Sequence, residues 1–255
     1  MLLKKSNLLH NKTIQICGSK SISNRLLILH FLFRNIKIEN TSDAQDTFLL
    51  QQALESKKDV IDVHHAGTAM RFLTAYFAQK EGRKVVLTGS ERMLQRPIKD
   101  LVEALLALGA DIQYLAEEGY PPLKITGKKL NRDEVVISSG ISSQFITALM
   151  LIAPKLENGL TIHLEGKITS RPYLEMTLKT LTSIGVSCEF DGRSIKISPL
   201  DFDQKLSNIF YFEVESDWSS ASYYYAMAAI GRGIINLRNF QAHSYQADSR
   251  IKEIY

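Results

Sequence analysis

The sequence predicts an α/β protein built from a repeated unit of two helices and four strands. Apolar segments that begin with small or hydroxyl residues alternate with amphipathic segments, and β-branched runs separate them. Gly67 and Ser142 stand 75 positions apart, and so do Arg96 and Arg171. Similarity at a fixed spacing is typical of repeated folding units. We therefore expect each unit to run strand–helix–strand–helix–strand–strand, with its helices packed behind a mixed sheet.

The elements follow in this order along the chain. After a first strand at 13–17, apolar helices are expected at Ser21–Phe33, Gly67–Ala78, Ser142–Ala153 and Ser219–Ile230. Amphipathic helices are expected at Ser42–Leu54, Pro97–Leu108, Pro172–Ile184 and from Asp248 onward, and further strands at 85–87, 123–125, 135–137, 161–164 and 194–197. Gly109 and Gly185 stand just past two of these helices, where glycine commonly ends a helix. The first unit is shorter than the others.

Residues 18–25, with the sequence GSKSISNR, carry the strongest functional signal. Ser21 and Ser23 are suitable N-cap residues for the helix that follows. Lys20 stands just before its first turn, and Arg25 lies one turn beyond Ser21. A helix N-terminus favours an anion by up to about 1 kcal/mol, and each charge-assisted hydrogen bond adds roughly 1.5–3 kcal/mol. The octet therefore predicts a phosphate or carboxylate site, and a well-capped helix with two solvated cations is the alternative.

Three further helix starts bring similar polar groups. Gly67–Thr68 opens a helix with Arg71 one turn in, and Arg96 precedes another helix at Pro97. Ser142–Gln144 places two hydroxyls and an amide at one helix start, and Ser170–Tyr173 repeats the pattern. Because stacked repeats bring equivalent ends to one side, we expect these groups to share one anion-binding cleft.

Composition excludes several other classes. The net charge is +4, and basic residues occur as pairs at most, so no nucleic-acid-binding stripe is expected. The two cysteines, Cys17 and Cys188, provide neither a disulfide framework nor a zinc cluster, which indicates a reducing cytosol. No apolar run reaches the roughly 18 residues of a membrane helix. His64–His65 lacks further ligands at metal-binding spacing, and residues 18–25 lack the glycines of a nucleotide P-loop. We expect a cytoplasmic protein without metal or cofactor.

Six motifs in order carry a resemblance to a known family. They are 20–25 (KSISNR), 66–71 (AGTAMR), 87–98 (LTGSERMLQRPI), 142–145 (SSQF), 170–173 (SRPY) and 217–223 (DWSSASY). With these motifs the whole chain resembles the 5-enolpyruvylshikimate-3-phosphate synthase family. The resemblance implies the enolpyruvyl transferase fold, an inside-out α/β barrel with one complete globule of three repeats and an incomplete second globule. It also implies transfer of the enolpyruvyl group of phosphoenolpyruvate to the 5-hydroxyl of shikimate 3-phosphate, with release of phosphate.

The resemblance assigns roles to individual residues. Shikimate 3-phosphate would be held by Lys20, Ser21, Arg25, Ser142, Ser143, Gln144, Ser170 and Tyr173. Phosphoenolpyruvate would be held by Lys20, Gly67, Arg96 and Gln144. As the catalytic cation, Lys20 would stabilise developing charge or shuttle a proton. Both ligands are small anions, no cofactor or metal is implied, and the intact enzyme is expected to be a monomer.

The resemblance also divides the chain. Residues 19–215 would form the upper globule with three repeats, and residues 1–18 and 216–255 would form an incomplete lower globule. Crossings near Lys20 and Asp217 would act as hinges. The family's acidic general base and further cations would lie beyond Tyr255, so we expect this chain to be an N-terminal portion that binds shikimate 3-phosphate weakly at best and does not turn over.

Two departures and two alternatives accompany the resemblance. His65 stands where the family usually has Asn, and Phe72 stands where Pro is common. A related transferase that acts on UDP-N-acetylglucosamine is disfavoured because residues 89–96 contain no cysteine. A non-catalytic anion-binding or scaffold module is the alternative from a different class.

Overall fold

The structure, a computed structural model, describes residues 11–140, 142–168, 170–200 and 209–255. The helices are α1 (Lys20–Leu32), α2 (Gln45–Glu55), α3 (Gly67–Ala78), α4 (Glu91–Leu94), α5 (Lys99–Ala107), α6 (Ser143–Ile152), α7 (Arg171–Ser183) and α8 (Trp218–Gly231). The strands are β1 (Lys12–Gln15), β2 (Ile36–Glu39), β3 (Val60–Asp62), β4 (Lys84–Thr88), β5 (Asp111–Tyr114), β6 (Leu123–Thr126), β7 (Glu134–Ser138), β8 (Leu160–Glu165), β9 (Cys188–Phe190), β10 (Ser194–Ile197), β11 (Phe210–Glu213) and β12 (Ile235–Arg238). Short 3-10 helices cover Ala153–Lys155 and Ala247–Glu253. The predicted α/β class is confirmed.

Two four-stranded sheets share one topology. One has the order β3-β4-β6-β5 and the other the order β7-β8-β10-β9. In both sheets the first two strands are parallel, and an apolar helix connects them along the chain. The remaining pairs are antiparallel. The repeat predicted from the 75-residue spacing is therefore confirmed for these two copies.

The first unit is completed differently. Its strand β2 pairs in parallel with β11, which follows the second four-stranded sheet in the sequence. The unit is shorter, as expected, and the chain returns to it after the other two units. This pairing joins Ile36 to Phe210 across 174 positions, a distance that the repeat spacing does not predict.

The helices form the inner layer and the sheets the outer one. Helices α1, α3 and α6 contact one another. Every residue of α3 except Thr68 is buried, and every residue of α6 except Ser143 and Gln144. Strands β4 and β7 instead alternate between buried and more exposed positions. A helix that is apolar on all sides belongs inside a core, which explains the arrangement. None of the described helices is long and apolar enough to cross a membrane.

The start of α1 corrects the predicted N-caps. The helix begins at Lys20, with Ser19 at the cap position and without a side-chain capping bond. The Ser23 hydroxyl instead accepts the Ser42 backbone N–H at 2.9 Å. The prediction of Ser21 and Ser23 as caps is wrong, because both lie inside the first turn. The Lys20 N–H is bound by the Asp217 carboxylate at 3.3 Å, a partner that local sequence does not reveal.

The other predicted helices agree more closely, with three corrections. The bounds of α3 are those predicted, and α6, α7 and α8 each begin within one residue of the expected position. Helix α2 begins at Gln45, so Asp43 lies outside its first turn. The segment expected to form a helix from Asp248 is a 3-10 helix. Tyr223 lies in the helix that its apolar sequence predicts at Ser219–Ile230, yet 70% of its surface is exposed.

A second, smaller core joins the two ends of the described chain. Strand β1 pairs in parallel with β12. Ile16, Trp218 and Ala221 are buried together, with Tyr225 and Phe240 packed against them. The main core includes residues from Leu27 to Ile197. Two separate cores agree with the expected division at 19–215, although that division stays a prediction.

The two crossings between these cores are hydrogen-bonded to each other. Gly18 forms an isolated antiparallel bridge with Ser216. Next to it, the Ser19 N–H donates to the Glu215 carbonyl at 2.8 Å, and the Asp217 N–H donates to the Cys17 carbonyl at 3.0 Å. The position of the first crossing depends on glycine, because a Cβ on Gly18 would lie 1.8 Å from the Asn40 carbonyl oxygen.

We predict that Gly18→Ala lowers the free energy of unfolding by about 3 kcal/mol, since overpacking against backbone cannot be relieved by a rotamer change. Urea denaturation followed by circular dichroism measures the loss. Gly140→Ala is the matched control, because an added Cβ there meets no atom within 4 Å. Equal stability of the two variants would show that the crossing can move away from Asn40.

Candidate functional site

The N-terminal ends of α1, α3 and α6 meet at a hollow of about 290 Å³. Tyr173, in the first turn of α7, completes its wall. The residues that line it are Lys20, Ser21, Asn24, Arg25, Thr68, Phe72, Ser143, Gln144 and Tyr173. A separate cavity is lined by residues at or just past the other ends of these helices, among them Leu32, Tyr76 and Lys155. The three inner helices therefore run in the same direction.

The charges around the hollow favour an anion. Three helix N-termini bring backbone N–H groups that have no partner within their own helix, and the positive ends of the helix dipoles, to one place. Lys20 and Arg25 add two formal positive charges, and no lining residue carries a carboxylate. Lys20 is exposed, and its ammonium has no hydrogen-bond or ion-pair partner in the part of the chain that the structure describes. The convergence expected from the sequence is thus observed for these helix starts.

Arg25 is the fixed cation of the site. Its guanidinium is buried and donates from Nε to the Thr177 hydroxyl at 2.8 Å, and from Nη1 and Nη2 to the carbonyls of Ser21 and Tyr173 at 2.7 and 3.2 Å. Burial lowers the pKa of Arg25 to about 10, which leaves it charged at neutral pH. Three of its five N–H donors are engaged, so two remain for a ligand.

Gln144 connects two helix starts. Its backbone N–H donates to the Ser142 hydroxyl at 3.3 Å, which makes Ser142 the cap of α6. Its side-chain amide donates to the Thr68 hydroxyl at 3.4 Å. The amide therefore lies between the hollow and the start of α3, where it can contact groups on both sides.

Gly67 and Arg96 form a second group beside the hollow. A Cβ on Gly67 would lie 2.2 Å from the Arg96 guanidinium, so that side chain lies directly against the helix start. Arg71 is buried beneath them and donates to the carbonyls of Gly67 and Pro97 at 3.2 and 3.1 Å. Burial, followed by repulsion from Arg96, lowers the pKa of Arg71 to about 10. Two cations held this close indicate a place for a further anionic group.

An adjoining hollow of about 350 Å³ has a different character. It shares Lys20, Ser21 and Tyr173 with the first but is also lined by Asp43 and Asp217. Because it faces the two crossings, it joins the anion site to the smaller core. The two hollows form one cleft with Lys20 at the boundary.

The structure places the predicted site residues in two groups. Lys20, Ser21, Arg25, Ser143, Gln144 and Tyr173 line the 290 Å³ hollow. Ser142, Ser170, Gly67 and Arg96 lie outside its lining. The first three stand at helix starts, and Arg96 lies between α4 and α5 with its guanidinium against Gly67. The Ser142 hydroxyl is engaged as a cap, and the Ser170 carbonyl accepts the Tyr173 N–H at 3.1 Å. Which ligands these residues contact stays a prediction.

Asn24, Thr68 and Phe72 line the hollow without having been predicted as site residues. Asn24 and Thr68 belong to the motifs identified in the sequence, but neither was assigned a role. The Phe72 ring lies 6.0 Å from the Arg25 guanidinium carbon. The signal for all three is helical spacing: Asn24 lies four positions after Lys20, Thr68 follows Gly67 directly, and Phe72 lies four positions after Thr68.

The histidine and cysteine residues do not extend the site. No group of three or more metal-ligating side chains occurs in the described ranges. Burial and the neighbouring Asp43 raise the pKa of the Cys17 thiol, and burial raises the pKa of Cys188 to about 11. A raised thiol pKa disfavours the thiolate, so neither cysteine has the electrostatic environment of a reactive nucleophile.

A larger cavity, of about 620 Å³, lies at the opposite ends of the inner helices. Arg34, Lys80 and Lys155 line it together with Glu81 and Glu157. Helix C-termini carry the negative ends of the dipoles, which these cations neutralise. Despite its smaller volume, the hollow at the N-terminal ends is therefore the better anion site.

The fold and the site define a class of protein: an α/β repeat protein whose helix starts converge on a hollow with the charge and donors to suit a small anion. The model of the EPSP synthase (3-phosphoshikimate 1-carboxyvinyltransferase) family matches residues 32–254. The chain therefore belongs to the EPSP synthase family, whose members are transferases of the shikimate pathway.

Individual relatives agree with this family assignment. The chain is 45% identical over 246 residues to the 3-phosphoshikimate 1-carboxyvinyltransferase of Bacteroides fragilis, covering 95% of this chain and 58% of that relative. It is 37% identical to the enzyme of the same name from a Marinomonas species, and this match covers 96% of this chain and 63% of that relative. The EPSP synthase structure from Acinetobacter baumannii superposes with a TM-score of 0.71 at 20% identity, over 93% of this chain and 58% of that one. This superposition shows that the two chains share a fold. The chain thus spans about three-fifths of the length of these relatives.

We predict that Arg25→Lys lowers the free energy of unfolding by about 3 kcal/mol. Lysine keeps the charge but cannot donate to Thr177, Ser21 and Tyr173 from one plane, so a buried cation loses hydrogen bonds. Urea denaturation measures the change. Arg92→Lys is the control, because Arg92 is exposed and makes no ion pair or hydrogen bond with the described residues. A variant as stable as the control would show that α1 and α7 do not depend on this guanidinium.

Proposed function

We propose that this chain supplies the shikimate 3-phosphate side of an enolpyruvyl transferase cleft. The observation that carries the proposal is the hollow at the joined N-termini of α1, α3 and α6, with Lys20 and Arg25 in its wall and no carboxylate. The reaction would join the 5-hydroxyl oxygen of shikimate 3-phosphate to C2 of phosphoenolpyruvate and release inorganic phosphate. Membership of the EPSP synthase family supports this substrate pair.

The phosphate of shikimate 3-phosphate would lie against the α6 start. Ser143 and Gln144 line the hollow there, and Ser142 and Ser170 stand beside it. Arg25 would direct its two remaining donors at the ligand, while the exposed Tyr173 ring packs against the shikimate ring. Hydroxyl and amide donors at a helix N-terminus suit a phosphate dianion, which accepts hydrogen bonds and cannot donate them once ionised.

Phosphoenolpyruvate would occupy the neighbouring position. Arg96 against Gly67 offers a cation and an open helix start, and Gln144 reaches across to Thr68. Lys20, at the boundary of both hollows, would contact both ligands. During addition the phosphoenolpyruvate methylene takes up a proton and the carbon beside it becomes electron-poor. An ammonium at that boundary can hold the ligand charges or carry the proton.

The wider assignment follows the two cores. Residues 19–215 would act as the upper globule, and residues 1–18 with 216–255 as part of the lower one, with the hydrogen-bonded crossings between them as hinges. The remaining two-fifths of the length of the relatives would supply the opposite wall of the cleft and its general base. A cytoplasmic location, a monomeric intact enzyme and the lack of a cofactor stay predictions.

We predict that shikimate 3-phosphate binds this chain saturably in titration calorimetry and that Lys20→Ala weakens binding at least tenfold. A charge-assisted hydrogen bond contributes roughly 1.5–3 kcal/mol, which corresponds to about 10- to 150-fold in affinity. The exposed Lys57→Ala variant is the matched control and should bind like the unmodified chain. If the chain is folded but takes up no shikimate 3-phosphate, the scaffold alternative is favoured.

We also predict that the 255 residues alone release no phosphate from a mixture of shikimate 3-phosphate and phosphoenolpyruvate. One wall of a cleft can bind a ligand without excluding water or positioning a base on the other side. A coupled phosphate-release assay tests this, with the Bacteroides fragilis enzyme as the positive control. Release in proportion to the concentration of this chain would mean that these residues contain a complete active site.

A further inference from the structure

Asn24 is a fully buried amide in the wall of the anion hollow. It lies in the second turn of α1, with no exposed surface, and it lines the hollow beside Ser21 and Arg25. Neither its Nδ2 nor its Oδ1 atom has a hydrogen-bond partner among the described residues. Buried amides without partners are rare in folded proteins, because both groups lose the hydrogen bonds that water provided. A buried, unpaired amide at a ligand site therefore calls for a partner that the protein itself does not supply.

Its position sets Asn24 apart from other unpaired buried groups. The hydroxyls of Thr47 and Thr147 are also buried and unpaired, but neither residue lines the hollow. Thr147 is the closest match, since it is the fifth residue of α6 as Asn24 is the fifth of α1, and the two helices are in contact. Thr147 thus provides an internal comparison for an unpaired polar group at the same depth without access to the hollow.

The chemistry of the amide selects the kind of ligand group. An ionised phosphate or carboxylate only accepts hydrogen bonds, so it could satisfy Nδ2 but would leave Oδ1 unpaired. An alcohol hydroxyl both accepts and donates, so it can serve either atom, and two neighbouring hydroxyls can serve both. Lys20 and Arg25 already provide for the anionic groups. Asn24 is thus suited to the uncharged polar part of a ligand.

We infer that Asn24 is a specificity-determining residue that binds a ring hydroxyl of the ligand in this hollow, and so separates hydroxylated ring acids from anions of similar charge. This inference rests on the proposed function, because shikimate 3-phosphate is such an acid. Because the side chain has no exposed area without ligand, the inference requires the wall of the hollow to open when the hydroxyl reaches it.

Asn24→Leu tests the inference, because leucine has a similar volume and no polar atom. We expect its melting temperature to equal or exceed that of the unmodified chain, since an unpaired amide is removed. Its affinity for shikimate 3-phosphate should fall about tenfold, the loss of one to two neutral hydrogen bonds. Phenyl phosphate at pH 8, which has a ring and a phosphate but no alcohol hydroxyl, should bind both chains with the same affinity.

Thr147→Val is the matched control. Its melting temperature should equal or exceed that of the unmodified chain, and its affinity for both ligands should be unchanged. Unchanged affinity of Asn24→Leu for shikimate 3-phosphate would overturn the inference. A lower melting temperature of Asn24→Leu, together with an equal loss of affinity for both ligands, would also overturn the inference. That result would mean that Asn24 has a structural role. Absence of shikimate 3-phosphate binding to the unmodified chain would instead overturn the proposed function, and the inference with it.

A measurement on the unmodified chain covers the case in which Asn24→Leu does not fold. The side-chain amide of Asn24, assigned in a ¹⁵N-labelled chain, should shift on saturation with shikimate 3-phosphate and remain in place with phenyl phosphate. An Asn24 side-chain amide signal that responds to neither ligand, while the side-chain amide signal of Gln144 responds to shikimate 3-phosphate, would exclude contact.

Discussion

The site depends on one packing constraint: three apolar helices that run in the same direction are buried against one another. Because α3, α6 and residues 26–29 of α1 are apolar and buried on nearly all sides, they can lie only in the centre, with the sheets outside. Parallel packing then brings to one end three sets of backbone N–H groups that have no partner within their own helix, and to the other end three sets of such carbonyls. The polar first-turn residues of these helices therefore meet in one hollow. An anion at that end compensates the helix dipoles that the packing of the core has aligned.

The two crossings attach this site to the smaller core through carboxylates with several partners. Asp217 accepts the first N–H of α1 at 3.3 Å and the Ser220 N–H in α8 at 2.7 Å, so one side chain connects the starts of two helices. Glu215 is buried and accepts from the Trp218 indole, the Ser244 hydroxyl and the Gln246 amide at 2.8, 2.6 and 3.0 Å. A buried carboxylate needs such donors, and all three lie in the part of the chain that follows the second crossing. The position of Lys20 is therefore determined from both sides of the crossing.

Much of this could be predicted from the sequence, because the repeat and the helix starts are local signals. The bounds of α3 and the two four-stranded repeats follow from the spacing of apolar and small residues. Interactions between distant positions could not be predicted in this way. The capping of Lys20 by Asp217, the pairing of β2 with β11 and the bond from Arg25 to Thr177 each join residues more than 150 positions apart. The local rule placed the caps at Ser21 and Ser23 because hydroxyls usually serve there, whereas a distant carboxylate took that role.

The two cations of the cleft are held to different degrees, and this difference suits them to different roles. Arg25 is held by three hydrogen bonds and is buried, so binding a ligand costs it little side-chain entropy. Lys20 is exposed and unpaired among the described residues, and a free lysine side chain loses about 2 kcal/mol of rotamer entropy when it is fixed. Under the proposed function, discrimination between ligands would fall to the groups that are already in place, among them Arg25, the α6 start and the unpaired amide of Asn24. Lys20 would become ordered once a ligand supplied negative charge on both sides of it. A group that responds to charge in this way suits a step in which charge moves from one bound molecule to the other.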